Sequence, residues 1–315
     1  MTQCILCHSQ STAILQTIKQ DDINALYERA FGLDVSHIIT SNLLYHHCKI
    51  CDLRFFTCED GTIPTGDNHF YNTLNTLEWY YFAKKHEYDY VQKYINPESK
   101  VLEVGCGKAA FAHFLPPEAK KHYIGLELST GAKEMASKDG ICIENISVEE
   151  YAKSHAKGFD IACSFQVLEH VSNPYGFLQA QIECLKDSQL NGGGAYNKPL
   201  LIIAVPSENS FIQYCVNGIL NMPPHHVSRF SDTTLHKIAD IFNLQLLDLY
   251  HENVQNEHID FYQSTMWAKL FLSTPLVDRG ITRKIINKIG KVGKHFIKIP
   301  PNAYGHTVVA VYTPK

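Results

Sequence analysis

Three groups of residues in this chain have the types and spacing that chemistry needs. Cys4-x-x-Cys7 and Cys48-x-x-Cys51 are chelating pairs; two intervening residues let both thiolates face one tetrahedral Zn²⁺ at ~2.3 Å. The run Val101-Leu-Glu-Val-Gly-Cys-Gly-Lys-Ala-Ala-Phe111 carries a single acid, Glu103, into a turn through Gly105 and Gly107. That is a buried parallel strand, a tight turn and a helix start, the place where open α/β sheets bind nucleotides. His225 and His226 follow Pro223-Pro224, and imidazole is the side chain suited to take a proton near neutral pH.

Four cysteines make a closed site with no position left for water, so Cys4, Cys7, Cys48 and Cys51 are read as ligands of a structural zinc. The plain alternative is that small thiols simply pack in cores. The long spacer between the pairs holds an inserted helix over Asp21–Phe31, acidic at its start, with Ile23, Leu26 and Ala30 on one face. The chain has ten cysteines, and its first residues lack the basic and apolar regions of an export signal. A reducing compartment, the cytoplasm, is therefore the expectation.

The remaining elements must position the glycine turn. Tyr123–Leu128, Ile141–Ile143, Phe159–Ser164, Leu200–Val205, Leu244–Leu249 and Thr307–Tyr312 read as strands. With the first strand they are separated by helical patterns at Gly131–Lys138, Val148–Lys153, Tyr175–Leu185 and Leu235–Phe242. A glycine run at Gly192–Gly194 punctuates the chain before the fifth strand. The fold expected is α/β: a Rossmann-like, doubly wound, seven-stranded sheet with a small N-terminal zinc-binding domain. Residues 1–60 would form the zinc-binding domain with its helical insertion, residues 61–97 an aromatic-rich helical connector, and residues 98–315 the sheet domain. In the connector, Leu74, Leu77, Tyr81 and Tyr88 share a rough helical face. Its aromatics, Phe70, Tyr71, Trp79, Tyr80, Tyr81, Phe82, Tyr88 and Tyr90, either pack on the sheet domain or roof its pocket.

With 315 residues, 45% of them hydrophobic, the chain can bury one large core and a satellite. A formal net charge of −4 gives no global pull towards nucleic acid. No apolar run approaches the ~20 residues that span a bilayer. Within an insertion at about 253–303, Arg279–Lys298 is rich in Lys and Arg and free of acids. Ile281, Ile285, Ile289, Val292 and Phe296 recur there at helical spacing, interrupted by Gly290 and Gly293. A solvated helix packed on the domain is the plain reading; an anionic partner or membrane surface is the alternative.

The glycines alone do not choose a ligand, since Gly105-x-Gly107-x-x-Ala110 also satisfies the dinucleotide fingerprint. Glu103 does. A carboxylate just before the turn repels a pyrophosphate but favours the sulfonium and ammonium of S-adenosylmethionine. Glu127, at the end of the second strand, can accept both ribose hydroxyls of either cofactor.

The set Glu103-Val-Gly-Cys-Gly107, Glu127 with Ser129, Phe159-Asp160 and Phe165-Gln-Val-Leu-Glu-His170 resembles the class I S-adenosylmethionine-dependent methyltransferases. The resemblance covers roughly Tyr94 to Tyr250 plus the final strand. It implies a cofactor-binding set of Glu103, Gly105, Cys106, Gly107, Glu127, Leu128, Ser147, Val148, Phe165 and Gln166. The turn would approach the methionine portion, Ser147–Val148 would border adenine, and Phe165–Gln166 would close over the methionine end. Cys106 reads as small filler, and His170 as packing below the cofactor, with a role as base the alternative. Two departures stand out: Ala109 replaces the usual third glycine, and Glu144 or Asn145 stands where an Asp usually follows the third strand. With its four-cysteine segment the chain is similar to bacterial methyltransferases carrying an N-terminal zinc-binding domain, some sugar C-methyltransferases among them. Asn221-Met-Pro-Pro-His-His226, with His69-Phe-Tyr, resembles an uncharacterised branch of that group. The acceptor expected is a small molecule, with His225 or His226 as the candidate catalytic base. Which atom receives the methyl group stays open. A non-catalytic zinc-containing binding module and an NAD-dependent oxidoreductase are the alternatives.

Overall fold

The computed structural model describes residues 2–74, 76–77, 85–128, 140–187, 198–271 and 276–315, without the side chains of 281–283. The expected helix at Gly131–Lys138, the glycine run Gly192–Gly194, Ser129, and Trp79 to Phe82 lie outside these residues.

Eleven strands are described, in chain order β1 (Thr12–Ile18), β2 (Leu43–Cys48), β3 (Arg54–Cys58), β4 (Val101–Val104), β5 (Tyr123–Leu126), β6 (Cys142–Glu144), β7 (Ile161–Phe165), β8 (Leu200–Pro206), β9 (Ser228–Arg229), β10 (Leu244–Asn253) and β11 (Tyr304–Pro314). Seven form one sheet in the order β10-β11-β8-β7-β4-β5-β6. β4 to β8 pair in parallel, while β11 runs antiparallel to both β8 and β10. The fold is thus the expected α/β, Rossmann-like, doubly wound, seven-stranded sheet. Helices cover both faces of the parallel strands, so β7 and β8 are buried along their whole length and read as apolar runs.

From β4 the chain moves outward on one side to β5 and β6, then returns to lay β7 on the other side of β4. Strand order reverses there, and the carboxyl ends of β4 and β7 diverge into a crevice where ligands of such sheets bind. The segment after β4 is shorter than the expected helix. It is a 3-10 turn, Ala110–Phe114, because Pro116 and Pro117 follow and cannot extend a helical ladder.

The N-terminal segment builds a second sheet, β1-β2-β3-β9, whose last strand comes from far along the chain. Helix Gln20–Phe31 lies between β1 and β2 and buries Ile23, Leu26 and Tyr27, while Ala30 faces outward. Cys4, Leu6, Cys48, Cys51, Leu53 and Phe55 share a core with Phe230, just after β9, and with Leu102 and Leu235 of the large sheet and its helices. Arg54 adds a 2.9 Å ion pair to Glu208.

The basic insertion holds helix Ile281–Gly293. Gly290 and Gly293 do not interrupt it. A Cβ at either position would meet the Trp267 indole, at 2.8 and 2.3 Å, so these glycines let the helix pack against that ring. Ile285, Ile289 and Phe296 are 53, 57 and 80% exposed: the apolar stripe faces outward, and the packed side is Ile286 and the glycines. No helix among the described residues is long and apolar enough to cross a membrane.

Candidate active site

A cavity of about 2080 Å³ opens at the switch point, lined by Glu103, Gly105, Cys106, Gly107, Glu127, Leu128, Ser147, Val148, Phe165, Gln166, His225 and His226. The structure therefore brings every residue of the expected cofactor and acceptor sets to one space, and the four cysteines lie elsewhere. Lys85, Glu87, Glu169, His170, Glu252 and His306 line it too.

On the β4–β5 side the backbone is shaped by left-handed positions. Gly105 and Gly107 have φ of +70° and +53°, and a Cβ on Gly105 would meet Val167 Cγ2 at 2.6 Å. Ala109, at the third glycine position, also adopts φ +54°, so that position demands a left-handed conformation that alanine pays strain to hold. The Cys106 thiol packs where a Cβ on Gly125 would clash at 2.6 Å, consistent with small filler. Glu127 Oε2 accepts the Gly107 N–H at 2.9 Å. Asn145 Nδ2 donates to the Glu127 carbonyl at 2.7 Å, fixing the strand end. Leu128 beside it is 70% exposed. Ser147 caps helix Val148–His155 by accepting the Glu150 N–H.

Glu103 is buried beneath the turn, and its carboxylate accepts the Tyr123 hydroxyl. Burial pushes its pKa from 4.5 to about 8, against the pull of the Tyr123 hydrogen bond. Gln166 leaves β7 at φ +59° and turns its amide towards Glu87 (3.4 Å) and Thr307 Oγ1 (3.2 Å). Phe165 packs edge-on to Tyr88 at 5.1 Å. The connector aromatics thus divide: Phe70 enters the N-terminal core, while Tyr71 and Tyr88 line the cavity.

The opposite side is a histidine cluster. His225 and His226 follow the cis Pro223–Pro224 bond. They lie 4.5 and 4.8 Å, centroid to centroid, from His170, which joins them from the segment after β7. The loop is held from both sides: Tyr27 of helix Gln20–Phe31 donates to the Ile219 carbonyl at 2.7 Å, Phe56 N–H of β3 donates to the Val227 carbonyl at 3.0 Å, and Val227 N–H donates to the Glu169 carbonyl, after β7, at 2.9 Å. Burial lowers His170 to about 4 and holds His225 and His226 well below 6.5, so all three imidazoles are neutral at pH 7. Burial also pushes Glu169 up to about 8 and Glu252 to about 7.

The four cysteines meet at the edge of the N-terminal sheet. Their sulfurs lie within 4.8 Å of one another, with Cys4–Cys51 at 3.6 Å and Cys7–Cys48 at 3.5 Å. Thiolates at ~2.3 Å from a tetrahedral centre stand roughly 3.8 Å apart, so the donor set and spacing fit zinc.

Lys85, Glu87, Glu252 and His306 belong to no motif of the sequence. Glu169 and His170 carried a signal, since they close the Leu168-Glu-His170 segment after β7. The others stand in ordinary polar stretches, and only the fold collects them.

A doubly wound sheet with carboxylates and a glycine turn at its switch point defines a nucleotide-type ligand site. The family described as "Methyltransferase domain" matches residues 78–274, and the chain belongs to that family. Ubiquinone biosynthesis O-methyltransferases of Salmonella paratyphi A and Salmonella typhimurium are each 34% identical over 92 residues, 28% of this chain. The chain spans only 38% of the length of these curated relatives. Among solved structures it is similar to an S-adenosylmethionine-dependent methyltransferase from Archaeoglobus fulgidus (TM-score 0.47, 15% identity, 78% of this chain and 100% of that one). A possible histamine N-methyltransferase from Thermotoga maritima is comparable (0.46, 18%, 78% and 98%).

Proposed function

We propose that this chain moves a methyl group from S-adenosylmethionine to a small-molecule acceptor, sugar-derived compounds among the candidates. The observation that carries the reading is the pairing of Glu103 and Glu127 around the glycine turn. Glu127 already takes the Gly107 N–H that a pyrophosphate would need, and the Glu127 carboxylate, joined by Glu103 whenever that group is ionised, repels phosphate beside that point. The same charges suit a donor with a sulfonium, an ammonium and a ribose. Glu127 would accept ribose hydroxyls, exposed Leu128 and Val148 would flank the base, and Glu103 would favour the cationic methionine end. This makes the NAD-dependent oxidoreductase the weaker reading.

When bound, the donor supplies an electrophilic methyl group. The chain aligns it with the acceptor and excludes water, and proximity can carry much of the acceleration. The acceptor would lie against His170, His225 and His226. In the metal-free protein His225 or His226 is the candidate base, since a neutral imidazole can take the acceptor's proton. Cys4, Cys7, Cys48 and Cys51 would bind a structural Zn²⁺ that anchors the sheet holding the histidine loop.

Incubation with methyl-labelled S-adenosylmethionine and a fractionated metabolite extract tests this. Label should pass to a protein-free, small-molecule fraction and the transfer should fall in a His225→Ala/His226→Ala variant. Label confined to the donor with every fraction would count against the reading.

A further inference from the structure

We infer that His170, His225 and His226, with the carboxylate of Glu169, form a second metal site, one that takes a divalent transition ion, Zn²⁺ by its donor set, on the acceptor side of the cavity. The inference deepens the methyl-transfer reading and rests on it for the use of the ion, not for its binding.

One ring nitrogen from each histidine lies within 4.8 Å of the other two. Their tautomers are set by the surrounding oxygens. His170 Nδ1 lies 2.6 Å from the His225 carbonyl and His225 Nδ1 lies 2.7 Å from the Leu220 carbonyl. A carbonyl only accepts, so both Nδ1 atoms carry the proton. His226 Nδ1 donates in the same way to Asn221 Oδ1 at 3.1 Å. Each Nε2 is then the nitrogen with the lone pair. An outer oxygen fixing the tautomer is what a metal-ligating histidine has.

Glu169 is the second observation. It is 1% exposed, and neither carboxylate oxygen has a hydrogen-bond partner among the described residues. Its Oε1 lies 3.8 Å from Nε2 of both His170 and His226, too far for a hydrogen bond. A buried carboxyl group with neither oxygen partnered is costly, and a cation between it and the imidazoles supplies the missing partner. Ligands ~2.1 Å from a tetrahedral ion stand roughly 3.4 Å apart, near the 3.8 Å that Glu169 keeps from two of the imidazoles; the three imidazole nitrogens, within 4.8 Å of one another, would draw in on binding. Three imidazoles and one carboxylate suit Zn²⁺ or a neighbouring transition ion; Mg²⁺ and Ca²⁺ prefer all-oxygen shells.

The ion would face the cavity that these four residues line. It would take the Nε2 lone pairs, making the histidines ligands in place of bases; an acceptor hydroxyl that displaces the Glu169 carboxylate from the fourth position would be acidified by coordination and give its proton to that carboxylate.

The test uses the full chain loaded with one equivalent of zinc, which fills the thiolate site, followed by titration with Co²⁺ in a calorimeter and a spectrophotometer. The expected result is one further equivalent bound, with ligand-field absorption but no thiolate-to-cobalt charge-transfer band. His226→Gln should lower that affinity at least tenfold while its melting curve reports folding; Glu169→Gln serves as the second variant. The spectrum of the unaltered chain decides the matter even if both variants misfold. Absence of the second equivalent, or a charge-transfer band from it, would overturn the metal site. S-adenosylhomocysteine binding measured on the same samples separates the two claims. Binding without a second metal defeats only this inference, whereas a second metal without S-adenosylhomocysteine binding defeats only the donor assignment.

Discussion

The side chain of Glu127 reaches back from the end of β5 to the N–H of Gly107, 2.9 Å away in the turn after β4. That bond ties two adjacent strand ends into one rim and leaves the rest of the carboxylate at the cavity.

Glu127→Ala should cost most of the ribose contact and one rim hydrogen bond. Bonds to a charged acceptor contribute ~1.5–3 kcal/mol, so S-adenosylhomocysteine affinity should fall by roughly 10- to 150-fold. Calorimetry reads it directly, and an unchanged affinity would refute the ribose role.

Glu103 gives donor binding a pH dependence. Its carboxyl is held up at about 8 in the free protein, and a cationic donor favours the ionised form. Affinity for S-adenosylmethionine should therefore rise with pH up to about 8, with a proton released on binding that appears as a buffer-dependent heat. Glu103→Gln should flatten both effects. Stability runs the other way. A carboxyl raised from 4.5 to about 8 in the folded state contributes stability below the ordinary value, and that contribution is lost as pH rises through this window. The free protein's melting temperature should thus fall less steeply with pH in Glu103→Gln.

Gly105→Ala combines a left-handed backbone with a contact to Val167 at 2.6 Å. The backbone costs ~1–2 kcal/mol and overpacking ~1–3 kcal/mol. Val167→Ala on this background should recover the second part only, as measured by denaturant unfolding.

Removing zinc should destabilise more than the N-terminus. Cys4, Cys48 and Cys51 share a core with Leu102 and Leu235, and the N-terminal sheet grips the loop that carries His225. Structural zinc in small modules contributes ~10 kcal/mol or more. Strong chelation, or Cys48→Ser, should therefore lower the melting temperature of a single transition. Metal-free protein with an unaltered transition would contradict the zinc assignment.

The large sheet was legible because its strands are buried on both faces. β7 and β8 announce themselves as apolar runs, and Glu103 as the lone acid within one. Helical spacing in Arg279–Lys298 was legible as well, but not which side packs, because the indole of Trp267 chose the glycines. The β4–β5 side of the cavity, proposed for the donor, is local, so short motifs carry it. The opposite, histidine side is not local. His170 meets His225 only because β9 pairs with β3 and draws the histidine loop inward, and no spacing in the chain encodes that pairing. Glu169 stands in a motif of the sequence, but that it is buried with neither oxygen partnered is visible only in the fold.

The central claim is that the switch-point cavity takes S-adenosylmethionine. Isothermal titration of the full chain with S-adenosylhomocysteine and, separately, with NAD tests it most directly. One equivalent of S-adenosylhomocysteine should bind, with no heat from NAD; heat from NAD alone, or from neither, would contradict the account.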